Sequence, residues 1–212
     1  MPNLPPARSI KISSDERGGW SSDRPRRDGA PPRPADLSVR SRVLAASERL
    51  RYSPGSLLLI VSASPAERDR FVERMVENRA SLLSLDKVRA LLAGRIADDE
   101  IEGRAGELLD AAVVKRLEAN ETVVIPTEGL EAGERERYVR MAAAAKRPRH
   151  LILVETTRDQ VQEDDRATLN DLRRRLDAGE LGAEGFQTVL RLSASAAAEL
   201  KRIVFQSAPR DD

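Results

Sequence analysis

The chain has 212 residues, 36 basic against 35 acidic side chains for a formal net charge of +1, and no cysteine. That balance argues against a global field for nucleic acid or membrane surfaces, so any basic partner surface has to be local. The missing thiols exclude disulfides, thiolate nucleophiles and cysteine metal sites, and a single histidine, His150, cannot build a histidine cluster. No apolar run approaches the roughly 18 residues of a membrane span and the N-terminus does not read as a signal peptide, so a soluble, cytoplasmic protein is expected.

Residues 1–38, with "SSDRPRRDGAPPRPAD", are rich in proline, arginine, serine, aspartate and glycine. Such a stretch buries too little apolar surface to offset its ordering entropy, and a disordered N-terminal arm is expected there. Its mildly positive charge suits either a passive solubilising tail or an arm that binds nucleic acid or a protein partner. Trp20, the only tryptophan, would be the docking anchor of such an arm.

From "SVRSRVLAASERLRY" the pattern turns helical, with Val39, Val43, Leu44 and Leu50 among polar neighbours, and "SPGS" ends it. Leu57 to Val61 is a wholly apolar strand of the kind covered on both faces in a parallel sheet. A helix over about 65–78 follows, with Phe71, Val72, Met75 and Val76 at three- and four-residue spacing. "SLLSLD" at 81–86 reads as a short strand, "KVRALLAG" as a helix, and "DDEIEGRAGELLDAAVVKRLEAN" as a longer helix with an acidic first turn.

"TVVIP" is a buried strand, residues 131–147 a helix, "HLILVE" a strand starting at His150, and 157–178 a highly charged helix. "GFQTVLRL" is a strand, and "SASAAAELKRIVF" a final helix capped by Ser193 or Ser195. Strands separated by helices imply right-handed crossovers, a mostly parallel sheet between two helical layers, and a ligand crevice at the strands' carboxyl ends. The expected organisation is an arm at 1–38, an α/β domain at 39–206 and a tail at 207–212.

Four segments, in order, carry a family likeness: "GSLLLIVSASPAERDRFVERMV", "LSLDKVRALLAG", "NETVVIPTEGL" and "AEGFQTVLRL". With them, residues 55–206 resemble the P-loop kinase superfamily, and most closely the bacterial polynucleotide kinase domain. The resemblance implies a P-loop NTPase-like three-layer sandwich. In a working loop, G-x-x-x-x-G-K-[ST], backbone N–H groups converge on the phosphates, the lysine reaches their outer oxygens and the hydroxyl binds Mg²⁺.

On this sequence those positions fall on Ser62, Glu67, Arg68 and Asp69, and Pro65 removes a further N–H donor. Losing two or three charge-assisted hydrogen bonds costs on the order of 5 kcal/mol, enough to weaken a micromolar ATP site to millimolar. The resemblance also places the family's general base at Asp86 and its acceptor-phosphate contact at Arg89. As plain helix-start residues, these two would form an N-cap and an ion pair.

Ile125 stands where the family has a metal- or water-orienting acid, while Thr127 fits the pattern. The lid stretch "DQVQEDDRATLNDLRRRL" is short, has Asp164 and Asp165 near the family's lid arginine, and keeps Arg166 and Arg173 to Arg175 as cations. A charged face on a solvated helix is the commoner meaning of such a run.

The expectation is therefore a catalytically degenerate, kinase-like module with no metal or cofactor, binding a protein or nucleic-acid partner. Two alternatives stand beside it: a rebuilt ATP/Mg-dependent nucleotide or polynucleotide 5′-kinase, and nucleic-acid binding led by the arm. Partner identity and oligomeric state are not encoded legibly.

Overall fold

The computed structural model describes residues 37–45 and 49–206. The expected arm, Trp20 and the tail from 207 lie outside these residues, apart from Leu37 and Ser38.

Five parallel strands form the central sheet in the order β1 (Arg42–Leu44), β6 (Thr188–Leu192), β5 (Arg149–Val154), β3 (Leu57–Val61), β4 (Val123–Pro126). β3 sits between β5 and β4, with Leu59 level with both Leu151 and Ile125. Because every residue of β3 and β4 is buried, helices must cover both faces. Leu57, Leu59 and Val61 face a core shared with α3 (Asp98–Glu118), α4 (Ala132–Ala144) and α5 (Asp165–Asp177). Leu58 and Ile60 face the other core, shared with α1 (Pro65–Met75) and α6 (Ala194–Glu199).

The chain leaves β3 for β4 on one side and then crosses to β5 and β6 on the other. Such a reversal opens a crevice at the carboxyl ends of the strands, where α1 begins. No helix of the described residues is long and apolar enough to cross a membrane.

Four expectations change. Within the helix expected over 39–50, the described residues hold β1 and the start of β2 (Arg49–Tyr52) instead. In β2, Leu50 and Tyr52 are buried while Arg49 and Arg51 are exposed, a period of two. The final helix stops at Glu199, and Arg202–Phe205 becomes β7, pairing parallel with β2 in a separate two-stranded sheet. Both strands owe their form to a partner about 150 residues away, and tertiary pairing of this kind overrides local propensity.

The strand expected at 81–86 is reduced to a parallel bridge from Leu82 to Val124, because Ser84 already caps α2 (Leu85–Leu92). The charged helix expected from 157 begins as a short 3-10 turn at Arg158–Gln160, with α5 starting at Asp165.

Candidate functional site at the β3–α1 turn

Between β3 and α1 lie only Ser62, Ala63 and Ser64. Ser64 is the N-cap and its hydroxyl accepts from the Glu67 N–H (3.4 Å), while Pro65 occupies the first helical position, where a missing N–H costs nothing. The Ser64 N–H donates to Ser62 Oγ at 3.2 Å, and the Arg68 N–H closes the first helical turn on Ser64 O at 3.0 Å. Three N–H donors, those of Ser64, Glu67 and Arg68, are thus spent inside the turn.

The side chains close it further. Arg68 is only 5% exposed; its guanidinium donates to the main-chain carbonyl of Thr127, past the end of β4, and to Asp69 Oδ1 at 2.8 Å. Glu67 pairs with Arg70 at 2.6 Å. Thr127 is fully buried and turns its hydroxyl to Gly129 O at 3.0 Å, and Ile125 points into the α3–α4 core. Ser62, Glu67, Arg68, Asp69 and Thr127 therefore form one connected network.

Asp86 and Arg89 lie beside it on α2, joined at 2.9 Å. Ser84, not Asp86, caps that helix. Arg89 also takes both oxygens of Glu102 on α3, at 2.7 and 2.8 Å, and pairs with Glu128 after β4. The hydrogen bonds it donates to Glu102 and Glu128 raise its already high pKa, and Arg89 in turn holds Glu102 below the usual carboxylate range. A cleft of about 280 Å³ runs from Arg68 and Asp69 past Leu82 to Asp86, Lys87 and Glu128.

Sequence reading misses Glu102, Glu128 and Glu134. Glu134 accepts the N–H groups of Glu128 (3.0 Å) and Gly129 (3.3 Å), and burial raises its pKa against those bonds. An acid two residues past a buried strand is the one signal that could have found Glu128.

Arg166 does not join the site. It lies on α5 and pairs with Glu163. The neighbouring cations are also committed: Arg173 to Glu155, Arg174 to Asp171 and Glu180, and Arg175 to Glu184. Against the cost of burial, Arg173 and Arg191 together hold Glu155 below the usual carboxylate range. Among the described residues no group of three or more histidine or acidic side chains is arranged to hold a metal ion.

A family profile described as "AAA domain" matches residues 69–190, more than half the chain. The match begins at Asp69, so β3 and the turn through Arg68 lie outside it. Among solved structures, the chain is similar to a "putative kinase" from Chloroflexus aurantiacus at 12% identity, over 68% of this chain and 87% of that one, with a TM-score of 0.44. No curated protein matches.

Proposed function

The chain belongs to this AAA domain family within the P-loop kinase superfamily, and we propose that it keeps the fold as a binding module and has lost phosphoryl transfer. The observation that carries the reading is Arg68, buried and bonded to Thr127 and Asp69 where a phosphate cradle would stand open. Phosphoryl transfer depends on positioning the donor and neutralising its charge. Here the N–H groups of Ser64, Glu67 and Arg68 are internally satisfied and the nearest cation is neutralised by its neighbour.

Glu67 and Asp69 add negative charge where a triphosphate is itself anionic. The residues present do not fit ATP with Mg²⁺. A protein or nucleic-acid partner would meet the strand-end surface, the arginine-rich α5 or the N-terminal arm.

One observation favours a second reading, a rebuilt nucleotide or polynucleotide 5′-kinase. Asp86 remains largely exposed at the mouth of the 280 Å³ cleft, within reach of an acceptor hydroxyl. An assay of transfer from ATP to nucleosides and to 5′-hydroxyl RNA or DNA separates the two. The binding-module reading expects none; transfer that disappears in Asp86→Ala would replace it with the enzyme.

A further inference from the structure

A second cleft, of about 500 Å³, opens between α3 and α4 beside the loop after β4. It meets the cleft at Arg68 and Asp86 at Leu85 and Glu128 and otherwise has walls of its own. Five carboxylates line it, those of Glu102, Glu107, Asp110, Glu128 and Glu134, against the single cation of Arg137. Three of the five sit on α3, where Glu102 to Asp110 spans about 12 Å along the helix axis. A row of that length suits an elongated cation, whereas a metal ion would need the acids drawn together.

Most of this charge is already answered. Glu102 and Glu128 pair with Arg89, Glu107 with Arg104 and Asp110 with Arg137. Glu134 is different: its oxygens accept only the main-chain N–H groups of Glu128 and Gly129, and among the described residues no cation pairs with it. Burial raises its pKa, which marks a carboxylate short of positive charge.

One helical turn on, and on the same face of α4, stands Tyr138. The residue is only 3% exposed yet lines the cleft, and the charges of Glu134, Asp110 and Glu128 all bear on its phenol. Among the described residues its hydroxyl has no hydrogen-bond partner, although a buried tyrosine hydroxyl usually finds one. The opposite wall is kept low by Gly103 and Gly106, inside a helix where glycine costs stability. A Cβ at Gly103 would meet nothing within 4 Å, so packing does not require glycine there; its effect is to leave the cleft open.

We propose that this cleft binds an aliphatic polyamine. One ammonium donates to Glu134 and to the Tyr138 hydroxyl, the methylene chain lies over Gly103 and Gly106 beside Leu85, and a second ammonium reaches Glu107 and Asp110. An ammonium has three donors and no acceptor, which matches a wall of carboxylate and phenol oxygens. The site needs neither the β3–α1 turn nor a nucleotide, so it goes beyond the binding-module reading and holds whether or not phosphoryl transfer occurs.

The test is calorimetric titration of the full chain at low ionic strength with spermidine, butylamine and magnesium chloride. Spermidine binds about tenfold or more tightly than butylamine, which offers one ammonium, and more tightly than Mg²⁺. Glu134→Gln weakens spermidine about tenfold or more, and Tyr138→Phe weakens it less. Gly103→Leu fills the cleft and abolishes binding with an unchanged or raised melting temperature, since leucine favours the helix. Glu136→Gln, on the same helix but paired with Arg140 outside the cleft, has no effect.

The proposal is overturned if spermidine does not bind, if butylamine or Mg²⁺ binds equally well, if Glu136→Gln weakens binding as much as Glu134→Gln, or if binding survives Gly103→Leu. None of these readouts involves ATP or transfer, so the outcome is separable from that of the kinase assay.

Discussion

Arg68 on the first turn of α1 donates its guanidinium to the main-chain carbonyl of Thr127, bridging 59 residues of sequence across the ends of β3 and β4. The buried cation thus serves as an internal tie. Arg68→Met keeps the stem's packing and removes the charged donor. It leaves a buried carbonyl unsatisfied and is expected to cost about 2 kcal/mol, read from the urea midpoint. ATP binding is not restored by this change, because Glu67 and Asp69 remain.

The segment "AEGFQTVLRL", which resembles the family's late strand, has a structural use here. Glu184 takes Arg135 in a two-pronged pair, at 2.9 and 3.0 Å, with the two side chains 10% and 3% exposed, and Arg175 joins at 2.6 Å. Replacing Glu184 with alanine strands a buried guanidinium and is expected to cost about 3–5 kcal/mol in thermal or denaturant unfolding. Gly185 has φ +97, and an added Cβ would lie 2.7 Å from Val139 Cγ1, so Gly185→Ala is also destabilising.

His150 supplies a pH dependence far from the candidate site. Burial, with the charge of Arg149, pushes its pKa down to about 4 from an ordinary 6.5. Its Nδ1 lies 2.7 Å from Thr188 Oγ1 and its ring 4.6 Å from that of Tyr52. The unfolded chain takes up a proton near pH 6.5 that the folded chain resists until about pH 4, so this contribution is complete above 6.5 and is lost between 6.5 and 4. The loss amounts to about 3 kcal/mol, and His150→Gln flattens the stability profile within that window relative to the parent.

Arg89 binds carboxylates from α2, α3 and the loop after β4. Arg89→Gln leaves Asp86, Glu102 and Glu128 facing one another without a cation. Amide exchange in α2 is expected to accelerate, most at low salt, while the core strands keep their protection. Unchanged exchange in α2 would mean that the cluster does not hold this helix in place.

How far the sequence discloses this molecule follows from the range of each interaction. β3, β4 and β5 are legible because burial on both faces leaves uninterrupted apolar runs. β1, β2 and β7 are not, since each is three or four residues long and takes its form from a strand distant in sequence. The turn from Ser62 to Asp69 is legible as a unit because its members are adjacent. The reach of Arg68 to Thr127 and of Arg89 to Glu128 crosses 59 and 39 residues, and no periodicity encodes either. Arg166 falls outside the turn's network because α5 points it to a different cleft.

Whether the β3–α1 turn is closed to a triphosphate is decided by calorimetric titration of the full chain with ATP and Mg²⁺. The expected result is no heat of binding at millimolar nucleotide and the same absence in Asp69→Ala. Saturable binding at micromolar ATP, abolished by Arg68→Met, would contradict it and make Arg68 a phosphate ligand.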